Sequence, residues 1–181
     1  LRNTGPHPME QALDLLDMDE LPQIISRLDS VNSFGDAEDY VKILLLAPNK
    51  PVIDVEISSC DAYNEGYLYK IQCSRGTLRA KMNKITYQYF VPEEAPEQHL
   101  ILEPLCKPDG TPAYCGEKLE WHKEEEDVVG TSFNTAVKAY YDNIYEHLTE
   151  GKELIIKPEK IMQQIELMEE VHRQNPMPIR F

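Results

Sequence analysis

The sequence predicts an α+β fold in which helices pack on one face of a mostly antiparallel, open sheet. Three observations indicate this class: a helical pattern opens the chain, strand-like alternation fills its middle, and two helical patterns close it. At 181 residues the chain can bury its own hydrophobic core, and no linker or internal repeat divides it. We therefore expect a single domain over residues 1–181.

The first helix is predicted from Pro6 to about Met18. Apolar residues recur there at the three- and four-residue spacing of a helix that buries one face. These residues are Met9, Ala12, Leu13, Leu15 and Leu16.

Three strands are predicted next, over Leu21–Leu28, residues 38–50 and residues 51–60. The last two are joined by the turn-forming sequence Pro48–Asn49–Lys50–Pro51, so we expect them to pair antiparallel. In "VIDVEIS" the apolar and polar residues alternate, as expected when one side of a sheet meets helices and the other side is open.

A meander of strands follows in residues 65–90, with turns at Arg75–Gly76 and at Lys81–Lys84. Alternation places two rows of large side chains on it: Tyr67, Tyr69 and Ile71, and Ile85, Tyr87 and Tyr89. Alternation alone does not tell which face is inward. The rows are therefore either core under the helices or an exposed surface through which two subunits pair.

The stretch of residues 91–129 is predicted as an excursion with one or two added strands, at His99–Leu105 and Lys118–His122, and with a loop tip at "KPDGTP". A helix then ends near Gly151, "ELII" forms a short strand, and Pro158 opens the final helix. The helical stripes consist of Phe133, Val137, Tyr140, Ile144 and Leu148, and of Ile161, Ile165, Met168 and His172.

The charge balance excludes two classes of partner. The chain carries 32 acidic and 18 basic side chains, for a formal net charge of −14, which repels nucleic-acid phosphates and anionic lipid surfaces. No apolar run is long enough to span a membrane. Four cysteines without a CxxC pair indicate reduced thiols, so we expect a cytoplasmic protein without a metal site.

His7 is the first candidate for chemistry. Pro6 and Pro8 hold its backbone stiff at a helix start, where the helix dipole disfavours the charged imidazolium. A neutral imidazole can exchange a proton near neutral pH. Taken alone, such a histidine is more often structural than catalytic.

The segment around His7 carries a resemblance. "NTGPHPMEQALDLL" resembles the motif D-x-G-x-H-x-x-D-x-x-x-x-L that opens the C-terminal domain of the Gfo/Idh/MocA family of NAD(P)-dependent oxidoreductases. "GDAEDYVKILL", "CSRGTLRA" and "YYDNIYEHLTEGKELIIKPEKIMQQIELMEEVHRQ" are similar to later segments of the same domain, so the likeness covers nearly the whole chain. It implies the GAPDH-like C-terminal fold type.

The resemblance implies specific roles. In the family the motif's Asp and His face the nicotinamide, and the His is the acid or base in hydride transfer to and from a sugar or inositol. The His matches His7 and the glycine matches Gly5, whereas the leading Asp falls on Asn3 and the trailing Asp on Glu10. Asn3 cannot hold a proton as a carboxylate does, so a relay through that position would be changed.

This sequence lacks the motif of the cofactor-binding half of such an enzyme. Its eight glycines never form the G-x-G-x-x-G turn that holds a dinucleotide pyrophosphate. We therefore expect NAD or NADP to be bound by an N-terminal Rossmann domain of a longer parent, and none to be bound by this chain alone. The implied function is substrate binding and homodimerisation. The alternative is a non-catalytic relative that pairs subunits or holds a metabolite, and Asn3 favours it.

Three weaker features complete the candidates. Trp121 and His122 are predicted to line a sugar pocket, although packing in a core or at an edge is more common for a lone tryptophan. The acidic run of residues 124–127 is interpreted as a solvated loop rather than a cation site. Cys106 and Cys115 flank the "KPDGTPAY" turn, and we expect two free thiols there.

Overall fold

The α+β class is confirmed: the described residues form three α-helices and two antiparallel sheets. The chain divides into two compact units, one formed by Leu1–Asn64 with Asp142–Phe181 (the helical unit) and one formed by Glu65–Tyr141 (the sheet unit). The computed structural model describes residues 1–33, 37–62, 66–97, 99–100, 102–114, 116, 118–130 and 133–177.

Helix α1 spans Pro6–Leu16 and opens the helical unit, as predicted. Pro6 occupies the start of the helix, where its missing N–H has no helical partner to lose. The helix ends at Asp17, which adopts the left-handed conformation with φ 47°. One face is buried, through Met9, Ala12, Leu13 and Leu16.

Three strands, β1 Gln23–Asp29, β2 Tyr40–Leu46 and β3 Ile53–Ser58, form an antiparallel sheet with β2 in the centre. All three were expected from the alternation in the sequence. Successive residues of β2 alternate between buried and half-buried positions, since side chains on a strand point to opposite faces.

The core of the helical unit lies between this sheet and two helices, α1 and α3 (Pro158–Gln174). Lys160 Nζ and Gln163 Nε2 both donate to the carbonyl oxygen of Met18, at 2.7 and 3.1 Å, and so tie α3 to the chain just after α1. The fully buried large side chains are Met9, Leu16, Val41, Ile43, Leu45, Leu167 and Val171.

The connection between β1 and β2 is organised by one carboxylate, Asp39. Its oxygens accept backbone N–H groups from Val31, Asn32 and Ser33 at 2.7, 2.6 and 2.7 Å. The hydrogen bond from Val31, followed by those from the next two residues, holds the pKa of Asp39 below its ordinary value, and outweighs the opposing effect of burial.

This geometry predicts a pH-dependent effect of Asp39→Asn. A carboxyl whose pKa is lowered by folding stabilises the fold above its unfolded pKa, and this stabilisation is lost as the pH falls through the folded pKa. We expect the melting temperature to drop most near neutral pH, and the deficit to shrink below the ordinary pKa of 3.8. Thermal melts from pH 7 to 2 measure it, with the exposed Asp14→Asn as a control. An equal deficit at both ends of that range would contradict the assignment.

The sheet unit contains a meander of β4 Tyr69–Cys73, β5 Gly76–Lys81, β6 Lys84–Tyr89 and β7 His122–Asp127. These strands form a second sheet rather than continuing the first. After β3, Ser59 N donates to Asp39 O, next to β2 of the first sheet. Just before β4, Leu68 N donates to Ala80 O, in β5 of the second sheet.

The register gives this second sheet two unlike faces. Its apolar face carries Tyr69, Ile71, Leu78, Ala80, Ile85, Tyr87 and Tyr89, and its polar face carries Lys70, Gln72, Thr77, Arg79, Thr86 and Gln88. Both predicted rows therefore lie on the apolar face, with one exception. The ring of Tyr67 lies on the polar side, 5.1 Å from the Arg79 guanidinium. Among the hydrophobic side chains described in this unit, only Ala80 is buried.

Three strand predictions were wrong, as was the loop predicted for the acidic run. One of them is Lys118–His122, of which only His122 belongs to a strand. Residues 124–127 lie in β7, because β6 supplies a full ladder of partners and Lys84 binds Glu125 at 2.9 Å. The described part of His99–Leu105 is not a strand. The predicted loop tip at residues 107–112 is closed by an isolated backbone β-bridge between Cys106 and Pro112.

"ELII" is not a strand either, because a side chain of helix α2 (Phe133–Glu150) takes its backbone hydrogen bonds. Asn143 Nδ2 donates to Glu153 O, and Ile155 N donates to Asn143 Oδ1. Gly151 ends α2 as predicted, with φ +72° and its N–H bonded to His147 O. The expected buried stripe of α2 has no fully buried residue.

Candidate functional site

Helix α1 presents His7 and Glu10 together. His7 is the second residue of the helix and is exposed, while Glu10 lies three positions later and is half-buried. Residues at this spacing are neighbours on a helix surface. The imidazole is therefore open to solvent, as a group that exchanges a proton with a small molecule must be.

Asn3 lies in a different environment. It is exposed and lines a cavity of about 500 Å³ in the helical unit, whose other polar lining residues include Glu38, His172 and Asn175. His7 and Glu10 are not among the residues that line it. The structure thus brings His7 next to Glu10, and Asn3 next to a set of side chains that the sequence did not single out.

Glu38 and His172 are the residues that sequence reasoning missed. His172 Nε2 lies 3.6 Å from Glu38 Oε1, and the other ring nitrogen, Nδ1, donates to Met168 O at 2.8 Å. Both ring nitrogens therefore face oxygen atoms that can accept a hydrogen bond. The available signal was a histidine within an otherwise apolar helical stripe.

The carboxylate of Glu38 is largely buried. The side chain is 11% exposed. The cavity beside Asn3 therefore holds a carboxylate in close contact with an imidazole.

Trp121 and His122 point to opposite faces of the sheet unit. Trp121 contacts Phe90 edge-on at 5.9 Å and lines a groove of about 450 Å³ on the polar face. His122 belongs to the apolar face, where it stacks on Tyr89 at 5.4 Å and its Nε2 lies 2.6 Å from Glu94 Oε2. They do not share one pocket wall, and a substrate-binding role for either stays a prediction.

The ring of Tyr89 links His122 to a second carboxylate. The Tyr89 hydroxyl donates to Glu124, and this hydrogen bond raises the pKa of Tyr89, as do burial and the charges of Glu124 and Glu94. The tyrosine therefore remains a neutral hydrogen-bond donor at physiological pH. The arrangement fixes His122 between a ring and a carboxylate.

The other residues that could bind a metal or undergo redox chemistry are dispersed. Over the described residues, no three His, Cys, Asp or Glu side chains converge to hold a metal ion. Cys60, Cys73 and Cys106 are free and exposed, and Cys115 lies outside the described residues. No described helix combines the length and apolar character needed to cross a bilayer.

Comparison with known proteins identifies the fold. No family model and no curated protein matches the sequence. An oxidoreductase from Bacillus cereus superimposes with a TM-score of 0.65 and 12% identity, covering 97% of this chain and 50% of that one. A candidate oxidoreductase from Bacteroides fragilis gives 0.62 and 20% identity, covering 99% of this chain and 51% of that one.

A third solved structure contains ligands. It is an oxidoreductase from Agrobacterium radiobacter in complex with NAD⁺, L-tartaric acid and magnesium, with a TM-score of 0.61 and 16% identity over 95% of this chain and 45% of that one. The chain thus spans about half the length of the solved structures it matches. At these identities the likeness establishes the fold, which is that of one part of larger oxidoreductases.

Proposed function

We propose that this chain is the substrate-binding and dimerisation domain of an NAD(P)-dependent oxidoreductase of the Gfo/Idh/MocA type, acting on a hydroxyl of a sugar, inositol or similar polyol. The observation that carries the proposal is the match of nearly the whole chain to about half of several oxidoreductases. The motif around His7 supports the family, and the NAD⁺ in the Agrobacterium protein supports the cofactor class.

The cofactor belongs to another part of the parent protein in this proposal. The chain has no glycine-rich turn that fits a pyrophosphate, so its own residues do not form a dinucleotide site. The nicotinamide, when bound by a preceding Rossmann domain, supplies hydride chemistry. What this chain contributes is substrate binding and proton exchange.

His7 is the proposed acid–base residue. Its exposed imidazole, at a helix start and stiffened by two prolines, takes the proton from the substrate hydroxyl in oxidation and returns it in reduction. Glu10, on the same helix face, contacts the substrate and orients His7. Asn3 replaces the family's carboxylate and contributes an amide hydrogen bond in place of a charge, and Trp121 and His122 are proposed as further substrate contacts.

The direct test is cofactor reduction. The parent protein that includes the preceding sequence is assayed by absorbance at the NADH or NADPH band with a panel of sugars, inositols and linear polyols. We expect turnover by the parent with at least one of them and none by residues 1–181 alone. Cofactor reduction by residues 1–181 would contradict the proposal.

A second candidate function is a non-catalytic relative, which Asn3 favours. Asn3→Asp in the parent distinguishes the two, because restoring the acid should raise the rate of a weakened dehydrogenase and leave a binding module inactive. Asn49→Asp, a change at an exposed residue of the same unit, serves as the control. A parent that is inactive with both aspartate variants, but binds a polyol, would assign the non-catalytic function.

Homodimerisation through the sheet is the proposed assembly. The apolar face of β4–β7 leaves Ile71 38% exposed, and desolvating tyrosine and aliphatic side chains is a common basis of subunit pairing. We expect light scattering of the chain to give a dimer mass at high micromolar concentration, and Tyr87→Lys to reduce it. A monomer at that concentration would contradict this assembly.

A further inference from the structure

The polar face of β4–β7 concentrates basic side chains in a chain with a net charge of −14. The ladder aligns two cross-strand rows on this face. The first row is Lys70, Arg79, Thr86 and Glu125, and the second is Gln72, Thr77, Gln88 and Lys123. With Trp121, these side chains form most of the lining of the groove of about 450 Å³.

The first row contains a like-charge pair. Lys70 on β4 stands directly opposite Arg79 on β5, an arrangement that destabilises a sheet. Over the described residues neither side chain forms an ion pair, and the Arg79 guanidinium contacts the ring of Tyr67 at 5.1 Å. A like-charge pair that breaks a local rule and has no carboxylate partner is typical of a functional site.

The acidic residues beside the groove do not neutralise this pair. Glu125 Oε2 binds Lys84 Nζ at 2.9 Å, and Glu124 accepts the hydroxyl of Tyr89. Both carboxylates are therefore engaged with side chains other than Lys70 and Arg79. An anion from solution that sits between these two would relieve their repulsion.

The second row offers groups of another kind. Gln72, Thr77 and Gln88 present amides and a hydroxyl, which both donate and accept hydrogen bonds and so suit hydroxyl groups. Trp121 is 48% exposed and supported edge-on by Phe90, so one part of its indole is free to pack on a carbon skeleton.

We propose that this groove binds a small anionic polyol, a polyhydroxylated chain or ring that carries one carboxylate or phosphate. Lys70 and Arg79 bind the anionic group, and the guanidinium offers two parallel N–H donors to two of its oxygens. The glutamines and Thr77 bind the hydroxyls, and Trp121 packs on the carbon atoms. The groove shares Trp121 with the substrate contacts proposed above, but its binding of an anionic polyol does not depend on the acid–base role proposed for His7.

The chain contains its own probe for the test, because Trp121 is its only tryptophan. Intrinsic fluorescence is titrated at constant ionic strength with gluconate, glucose 6-phosphate, glucose and inorganic phosphate. We expect a saturable change with at least one anionic polyol, at an affinity about tenfold or more above those of glucose and inorganic phosphate. The stronger of gluconate and glucose 6-phosphate identifies a carboxylate or a phosphate ligand.

Two outcomes of the titrations overturn the proposal. No saturable change with either anionic polyol means that the groove is not a ligand site. Equal affinity for inorganic phosphate means a general anion surface that does not read hydroxyls.

Variants of the like-charge pair give the second test. Lys70→Gln and Arg79→Gln should each weaken binding about tenfold or more, because each removes a charge-assisted hydrogen bond. Arg173→Gln, an exposed cation of the helical unit, should leave the affinity unchanged. Removing one of two like charges relieves repulsion, so we expect neither variant to melt at a lower temperature than the wild type.

The same samples test the alternative that the polar face binds a second copy of the chain. Light scattering is recorded with and without ligand for the wild type and for Lys70→Gln. If Lys70→Gln weakens self-association while no ligand binds, the polar face is a subunit interface and the proposal fails. Unchanged affinity in both groove variants also overturns it.

Discussion

On the proposed function, we expect the replacement of His7 by asparagine in the parent protein to lower kcat about 10²–10⁴-fold, the range that general acid–base catalysis contributes. The substitution keeps a polar group at an exposed position of α1, so the fold and KM should change little. Steady-state kinetics with the best polyol substrate measure kcat and KM.

His99→Asn is the matched control for this experiment, since His99 is an exposed histidine in the sheet unit. We expect its kinetics to equal those of the wild type. A His7→Asn parent that retains kcat within about twofold would contradict the acid–base role proposed for His7.

Ile43→Ala should destabilise the helical unit more than any surface change. Ile43 is fully buried on the central strand β2, between Val55 of β3 and Ser26 of β1. Deleting a buried aliphatic side chain removes its transfer free energy and leaves a cavity, at a cost of about 2–5 kcal/mol in the free energy of unfolding. Urea titration followed by far-UV circular dichroism measures the loss.

Ile25→Ala provides the comparison, because Ile25 lies on the neighbouring strand β1 but is 49% exposed. We expect its cost to be about 1 kcal/mol or less. Equal destabilisation by the two substitutions would mean that Ile43 is not packed as described.

The elements predicted well from the sequence are those that depend on local patterning. The buried face of α1, the alternation of β2 and the glycine that ends α2 follow from periodicity and backbone conformation, and each can be recognised in a short window. Gly151 shows this most directly, because few residues other than glycine adopt φ +72° without strain.

The elements that were predicted wrongly depend on distant partners. Four acidic residues in a row, 124–127, indicate a solvated loop, but the free edge of β6 and the charge of Lys84 make them a strand. The side chain of Asn143 takes the backbone groups that "ELII" would have given to a sheet. Neither partner can be recognised from the segment itself.

The candidate site divides in the same way. His7 and Glu10 are joined by helical spacing, which the sequence displays. The pairing of Glu38 with His172 joins residues far apart in the chain, so only the folded structure brings them beside Asn3. The polar groove likewise depends on register, which sets Lys70 against Arg79 across two strands.

The helical unit is discontinuous along the chain, and this has a consequence for biosynthesis. The sheet unit is one uninterrupted stretch of the chain. Strands β4, β5 and β6 follow one another closely and can pair as they leave the ribosome, whereas β7 comes later. The core around Ile43, by contrast, remains incomplete until Leu167 and Val171 of α3 have been translated. The apolar sides of α1 and β2 therefore stay exposed, and prone to aggregation, while more than half of the chain is still being synthesised.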